Sequence, residues 1–557
     1  MTIYTSPFPA VEKWSDQGLF DFIFENNDKI QPNNVALVDA GTGTEVTYKQ
    51  LISDSLKLGH GLSQRYKPGQ TMLIFSPNSI IYPSLLFGAQ AAAMVATTAN
   101  SSYTPNELAH QINISDADLL LVGSDLVDVA KKAVQEAGLK ESQIFVLPGV
   151  DGKTNLQGLE SYEVLIGSGK GFKQLKVPDI YAPAYLPFSS GTTGRGKGVA
   201  VSTFNITSVS LQLRQVKGLL RKTAIADVRI FSMMGKSVMG VLPLYHIYGL
   251  IVLLHQTLLN GGTIVLLTKF DLPLFLESVQ RYKATVALLV PPIALALAKH
   301  PIVDNFDLSS LRWIMSGAAP LSADLQTVLE RRLKNKTLIL QGYGMSETTS
   351  VGLLPDVSQE VKAGTVGRLL ASVEARLIDP QTGKDAKAGE PGELWLRGNN
   401  IMKGYHKNEK ATAETINKDR WLMTGDVCIR SEDGVYTIVD RTKELIKYRG
   451  FQVPPAELEG LLLECPLVAD AAVIGVWSEA DATEFPRAYI VPDAAHKDDQ
   501  DLAKKVQQFV ADRVAPHKKL RGGVFLLDVI PKSPSGKILR KDLRTLAAKE
   551  SEAQSKL

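Results

Sequence analysis

YLPFSSGTTGRGKGV, residues 185–199, is a short apolar run that breaks into hydroxyls and glycines and is closed by Lys197. That order reads as a strand feeding a loop rich in backbone N–H groups and hydroxyls, the chemistry a polyphosphate needs. Gly191, Gly196 and Lys197 also satisfy most of a P-loop. Gly198, however, stands where that motif places the Ser or Thr that ligates magnesium. A Gly/Ser surface linker is the plainer alternative, and the apolar strand leading directly into the loop argues against it.

Outward from this loop, strands alternate with helices. Thr47 caps a helix over 47–66 that repeats Leu51, Leu58 and Leu62 on one face. A strand at 71–75, a helix over 79–94, a strand at 119–122 and a helix over 125–137 follow. Beyond the loop, strands at 263–267 and 285–290 alternate with helices over 272–282 and 293–300. This rhythm predicts mostly parallel sheets covered on both faces. Between 366 and 437 it changes to strand-like segments, such as 375–378 and 392–396, separated by turn residues, which predicts a smaller β-barrel-like subdomain. The end of the chain reads as a compact α+β module. Pro454-Pro455 opens a helix over 456–463, strands lie at 471–476 and 487–491, and Leu502, Val506, Phe509, Val510 and Val514 recur at helical spacing. The expected class is therefore α/β. A large domain of residues 1–439 holds two parallel-rich subdomains and the β-rich one. A charged hinge at 440–443, a small domain at 444–548 and a tail at 549–557 follow.

The chain has 557 residues, more than one core accommodates, and a formal net charge of +3 that gives no argument for nucleic acid or an anionic membrane. Cys428 and Cys465 are far apart and outside any CxxC pattern, so they read as packing residues in a reducing compartment. The N-terminus has no basic segment followed by an apolar run, as a secretory signal would. The longest apolar run, 284–298, is too short to span a bilayer and carries Pro291-Pro292 at its middle, so a soluble protein without a transmembrane segment is expected. The chain ends in Ser555-Lys556-Leu557, the address read by the peroxisomal import receptor at a free C-terminus. A polar tail ending this way by chance is the alternative, and the identity and position of the tripeptide favour the address.

Five further stretches share a pattern with the loop. They are LPLYHIYGL at 242–250, QGYGMSE at 341–347, TGD at 424–426, DRTKELIKYRGFQV at 440–453 and PSGKILR at 534–540. In this order and spacing the chain resembles the adenylate-forming superfamily of acyl- and aryl-CoA synthetases, firefly luciferase and peptide-synthetase adenylation domains. The second and fifth of these six motifs are closest to the 4-coumarate–CoA ligase-like and luciferase branch. The resemblance covers essentially the whole chain. Each motif is weak alone, and six in order are specific.

The resemblance implies roles that the chemistry makes sensible. A carboxylate is a poor acylating agent, so it first displaces pyrophosphate from ATP, which calls for charge stabilisation and a dry slot. Ser189, Ser190, Gly191, Thr192, Thr193, Gly194 and Lys197 would cradle the β- and γ-phosphates. Gln341, Gly342, Tyr343, Gly344 and Ser346 would hold the adenine and phosphate side, and Glu347 would ligate Mg2+. Asp426 and Arg441 would take the ribose, with Gln452 nearby. His246 would sit beside the α-phosphate and acid, Tyr248, Val252, Ala318 and Gly342 would line the acyl slot, and Lys537 would bridge carboxylate and α-phosphate. Lys447 would belong to a second face of the small domain that swings in for the thiol step about Lys443. Lys269, Arg449 and Gly450 would meet coenzyme A. Read alone, Asp426 is a turn residue, His246 a core histidine and Lys537 a solvated lysine, and only the context raises them.

Two departures stand out. Gly196 replaces the proline common before the loop lysine, and Ser202-Thr203-Phe204-Asn205 lacks the usual histidine after the loop. The expected activity is ATP-dependent ligation of a carboxylic acid to CoA. The expected acid has an uncharged tail, aromatic or medium-to-long aliphatic. The alternatives are an adenylating enzyme that loads a carrier protein in trans, a luciferase-like oxidase, and a P-loop NTPase or dead nucleotide-binding protein. Gly198 argues against the P-loop, and intact Glu347, Asp426 and Lys537 argue against a dead enzyme.

Overall fold

The computed structural model describes the chain apart from Asn26, residues 190–195, 221–236, 335–336, 442–443, 449–450, 479–480, Ala482, 534–535 and 555–557. The side chains at 217–220, Gln452 and 551–554 also lie outside it. Two seven-stranded sheets form the body of the large domain. In the first, Thr71–Phe75 pairs in parallel with Val95–Ala99 on one side and Ala117–Gly123 on the other. The sheet then extends to Pro183–Tyr185, the strand that feeds the glycine-rich loop. These strands read as apolar runs because helices cover both faces: Met72, Leu73, Ile74 and Phe75 are all fully buried. In the second sheet Leu338–Gln341, Trp313–Ser316, Val286–Leu289, Ser237–Gly240, Thr263–Leu266 and Val35–Asp39 run parallel, with Glu45–Thr47 antiparallel at one edge. Parallel sheets gather the loops after their strands at one end, where ligands bind.

The helix expected over 47–66 spans Tyr48–Arg65, and the Thr47 side chain accepts from the Gln50 N–H. The helix expected over 79–94 is shorter, Tyr82–Ala91, because Ala93 takes a φ of +53° that turns the chain into the next strand. The β-rich segment is built on a five-stranded antiparallel sheet. Its order runs Tyr4–Thr5, Glu374–Ile378, Gly392–Arg397, Leu422–Arg430, Tyr436–Arg441. The segment 366–369 ties its two edges together: Gly367 pairs with Tyr436 at one edge, and the Leu369 carbonyl accepts from Ser6 Oγ at 2.9 Å beside the N-terminal strand at the other.

From Ile446 onwards the chain has apolar clusters of its own, one around Leu458, Val473 and Val506 and one around Ile474, Tyr489 and Leu543. Cys428 and Cys465 are buried packing residues without a disulfide. The expected tail begins too early, because the helix Arg540–Gln554 continues through 549–554. Glu550 anchors it, accepting from Tyr489 Oη at 2.9 Å and pairing with Arg487 at 3.1 Å. Residues 555–557 lie outside the described ones. Among the described residues, no helix is long and apolar enough to cross a membrane.

Candidate active site

The ends of the two sheets, the five-stranded sheet and the C-terminal module enclose one cavity of about 520 Å³. Its first wall is the base of the glycine-rich loop. Ser189 pairs with Lys197 across a short antiparallel hairpin, and Val199 bridges to Tyr405. The His406 N–H donates to the Gly198 carbonyl at 2.8 Å, tying the loop to 404–406. His110 Nε2 lies 2.8 Å from the Gly196 carbonyl, so the position lacking the expected proline is pinned from outside. Lys197 Nζ sits 4.4 Å from the centre of the Tyr405 ring, and Tyr405 Oη donates to Glu347 Oε1 at 2.7 Å. A cation, a tyrosine and a carboxylate thus line one corner. Ser189 Oγ is buried here without a partner among the described residues. Ser190, Gly191, Thr192, Thr193 and Gly194 lie outside the described residues.

The strand Leu338–Gln341 delivers the second wall. Gly342, Tyr343, Gly344 and Ser346 all face the cavity. A Cβ on Gly344 would fall 1.7 Å from the Ser350 carbonyl oxygen, so only glycine fits that turn. Tyr343 Oη donates to Asp426 Oδ2 at 2.6 Å, and Arg441 Nε lies 3.1 Å from Asp426 Oδ1. Asp426 and Arg441 are opposite one another in the antiparallel pairing of their strands, which fixes this contact in the backbone register. Burial, reinforced by the Asp426 charge, pushes the Tyr343 hydroxyl pKa well up, so it stays a donor. Gln341 does not join the site. Its amide accepts from the Leu321 N–H at 2.8 Å and donates to the Leu321 carbonyl at 2.9 Å, because its side chain points to the other face of the strand end.

Glu347, Glu393 and Glu414 are carboxylates of the described wall, Glu347 being the one that Tyr405 ties to the Lys197 corner, and no cluster of three or more acidic, histidine or cysteine residues forms a metal cage among the described residues. That donor set suits Mg2+, which is commonly held by one or two carboxylates plus substrate phosphates and water. One Glu347 oxygen accepts from Tyr405, and the side chain as a whole faces the cavity.

The third wall is apolar. The segment after Ser237–Gly240 turns at Pro243 and enters a π-helix, Tyr248–His255. His246, just before it, accepts the Tyr248 N–H on Nδ1 at 3.3 Å. Burial, and then the nearby Lys537 charge, push the His246 pKa down to about 4, so it is a neutral donor through Nε2 at pH 7 rather than a cation. Tyr248 Oη donates to the Met315 carbonyl at 3.0 Å, which holds its ring against Gly317. Val252, Ala318, Met315 and Trp313 complete this wall, and no Lys or Arg stands among its described residues.

Lys537 reaches the cavity from the small domain. The Ser533 N–H donates to the Lys537 carbonyl at 2.8 Å, the Lys537 N–H donates to Ser533 Oγ at 3.1 Å, and Lys532 is anchored on Asp470 at 2.6 Å. The described ends of the loop are therefore tied down rather than free. Gly536 takes a φ of +78°, and a Cβ there would meet Pro292 Cδ at 3.0 Å, so the tip presses on the large domain. Burial, and then the Arg441 charge, push the Lys537 ammonium down to about 8.

A model of AMP-binding enzymes matches residues 24–406, and a model of the AMP-binding enzyme C-terminal domain matches 457–537. The chain belongs to the AMP-binding enzyme family. A probable 4-coumarate–CoA ligase of Dictyostelium discoideum is 37% identical over 561 residues, covering 98% of this chain and 97% of that protein. The 4-coumarate–CoA ligase of Vanilla planifolia is 37% identical, covering 98% of this chain and 96% of its own. Among solved structures, ATP-bound MatB from Rhodopseudomonas palustris superposes with a TM-score of 0.80 at 27% identity, over 95% of this chain and 98% of that one.

Not every expected residue of this AMP-binding enzyme meets at the cavity. Lys447 lies exposed on the hairpin Ile446–Tyr448/Phe451–Val453 and does not line it. Lys269 is exposed after the strand Thr263–Leu266 and is also absent from the wall. Lys443, Arg449 and Gly450 lie outside the described residues, as does the side chain of Gln452. Two functional residues escaped the sequence reading. Tyr405 joins Lys197 to Glu347, but it sits between the motifs, in KGYHKNE. Trp313 closes the slot and reads in sequence only as an apolar strand residue.

Proposed function

We propose that this chain activates a flat, uncharged-tail aryl acid of about cinnamate size, joining it to CoA with ATP. The observation that carries the reading is the placement of Lys197, Glu347, Tyr343, Arg441 and Lys537 around one cavity, with Asp426 bonded behind Tyr343 and Arg441, and with an uncharged acyl wall of Tyr248, Val252, Trp313, Met315 and Ala318. The named relatives support the aryl choice. So does the slot: Gly317, Met315 and Trp313 share one strand face, and four residues at roughly 3.3 Å each give a depth of about 13 Å. That depth suits an aryl acid better than a long aliphatic chain.

In this reading Lys197 and the loop hold the β- and γ-phosphates while Asp426 and Arg441 fix the ribose. A magnesium ion held by Glu347 and the phosphate oxygens would neutralise charge. The acid carboxylate oxygen bonds to the α-phosphorus and the bond to pyrophosphate breaks. Lys537 faces the charge that develops there, and His246 donates a hydrogen bond without adding charge. Two reactions at one cavity need two surfaces, and Lys537 and Lys447 occupy different faces of the small domain. Rotation about 440–443 would exchange them, so that the CoA thiolate attacks the acyl carbonyl and AMP leaves. Ser555-Lys556-Leu557 would send the enzyme to the peroxisome, which a fluorescent fusion with and without the tripeptide tests.

The central test is acid-dependent pyrophosphate release across a panel of cinnamates, phenylacetates, benzoates and fatty acids. Free CoA and a phosphopantetheinyl carrier protein serve as competing thiols. Release with aryl acids and thioester formation on CoA are expected. No release with any acid would sink the reading, and a preference for the carrier would replace CoA as acceptor.

A further inference from the structure

One buried carboxylate lies outside the cavity and joins the two domains. Asp440 is the penultimate residue of the strand Tyr436–Arg441, which runs from the large domain into the hinge, and is 6% exposed. Its Oδ1 accepts the Arg441 N–H at 2.7 Å, and its Oδ2 accepts the N–H of Ala456 at 3.0 Å. Ala456 is the second residue of Pro455–Glu464, the first helix of the small domain. The first N–H groups of a helix have no partner within it and call for a side-chain cap. Here the position before the helix is Pro454, which offers none. Asp440 supplies the missing acceptor from the first residue of the hinge.

The same helix is tied to the catalytic lysine's segment. Both carboxylate oxygens of Glu459 accept from Nη2 of Arg540, at 2.6 and 2.7 Å, three residues beyond Lys537. At its far end, Lys299 Nζ of the large domain donates to the Leu463 carbonyl at 3.1 Å. The orientation of this helix therefore sets where Lys537 stands. Burial pushes the Asp440 carboxyl up to about 6, with Arg540 pulling it back and Glu459 adding to the rise.

We propose that Asp440 is a positioning residue for adenylation. It caps the small domain's first helix in trans, holds the orientation in which Lys537 meets the cavity, and releases the helix for the thiol step. The proposal rests on the acid–CoA ligase reading with its two half-reactions. A cap is worth about 1 kcal/mol, close to a fivefold to tenfold change in the docked population.

The experiment measures acid-dependent pyrophosphate release and CoA-dependent consumption of supplied acyl-AMP separately, in wild type, Asp440→Ala and Asp440→Asn, with Tm as a check of folding. In Asp440→Ala, kcat for release should fall about tenfold with the KM for ATP nearly unchanged, while acyl-AMP consumption stays equal or rises. Asp440→Asn, whose amide oxygen still accepts from Ala456, should recover most of the loss. Equal losses in both half-reactions, no loss in release, or an asparagine variant no better than alanine would overturn the proposal. If Asp440→Ala does not fold, the asparagine variant decides. Losing the attraction to Arg540 should lower release twofold to threefold with the thiol step unchanged, and wild-type rates would overturn the proposal. Wild type without any pyrophosphate release would defeat the ligase reading itself, whereas active wild type with a normal Asp440→Ala defeats only the inference about Asp440.

Discussion

Lys537 shows what burial does to a cation that chemistry needs. In the free enzyme its pKa is pushed down to about 8, mainly by burial and then by Arg441. The ammonium is therefore present below that value and is lost as pH rises through it. The kcat/KM for pyrophosphate release should fall above about pH 8, and Lys537→Arg should carry that limb upwards because guanidinium keeps its charge. A limb unmoved in the arginine variant would assign it to another group. Lys537→Ala should lower release roughly 10²–10³-fold, as removal of one charge stabiliser does, and leave thioester formation from supplied acyl-AMP intact. Tyr405 works at the same scale, holding Glu347 beside Lys197 through one hydroxyl. A hydrogen bond to a charged acceptor contributes about 1.5 kcal/mol or more. Tyr405→Phe should thus weaken Mg·ATP roughly tenfold in KM with Tm nearly unchanged, and an unaltered KM would show that Glu347 is held by other contacts.

Among the elements, the strand Trp313–Ser316 decides what enters the slot. Trp313 is almost wholly buried, and it faces the cavity from the deep end of the strand. Trp313→Leu removes much of the slot's floor while keeping an apolar core residue. It should lower Tm, since core truncations cost about 2–4 kcal/mol, and raise relative activity towards longer acids in the panel. An unchanged acid profile would place the floor elsewhere. This strand also marks how far the sequence could be read. Alternation of strands and helices gives both parallel sheets, because burial on both faces leaves unbroken apolar runs such as Thr71–Phe75. The residues that follow strand ends, Gly342 to Ser346 and His246, announce themselves by glycines and by polar groups in apolar surroundings. Trp313 is hidden because its lining role depends on which strands become neighbours. Gln341 misled for a related reason: it sits inside a motif, yet the period of the strand turns its side chain to Leu321. The edge strand Tyr4–Thr5 of the β-rich subdomain was hidden because its partner lies some 370 residues away in sequence.

For the whole molecule, the arrangement contains an asymmetry between two lysines of one small domain. Lys537 is half-buried at the cavity, and Lys447 is exposed on a hairpin that the cavity does not touch. A rigid enzyme would leave Lys447 without a catalytic part, whereas a rotating one gives each lysine its own half-reaction. Lys447→Ala should therefore leave acid-dependent pyrophosphate release within about twofold of wild type and slow thioester formation by an order of magnitude or more, since one misplaced positioning contact can cost about 10². Lys537→Ala should do the reverse. Combining the two substitutions should leave each half-reaction at the level of its single variant, with overall turnover set by the slower of the two, because residues that act in separate states contribute independently. Equal effects of Lys447→Ala on both halves would mean that the small domain keeps one orientation throughout, with the exposed lysine acting only on its stability.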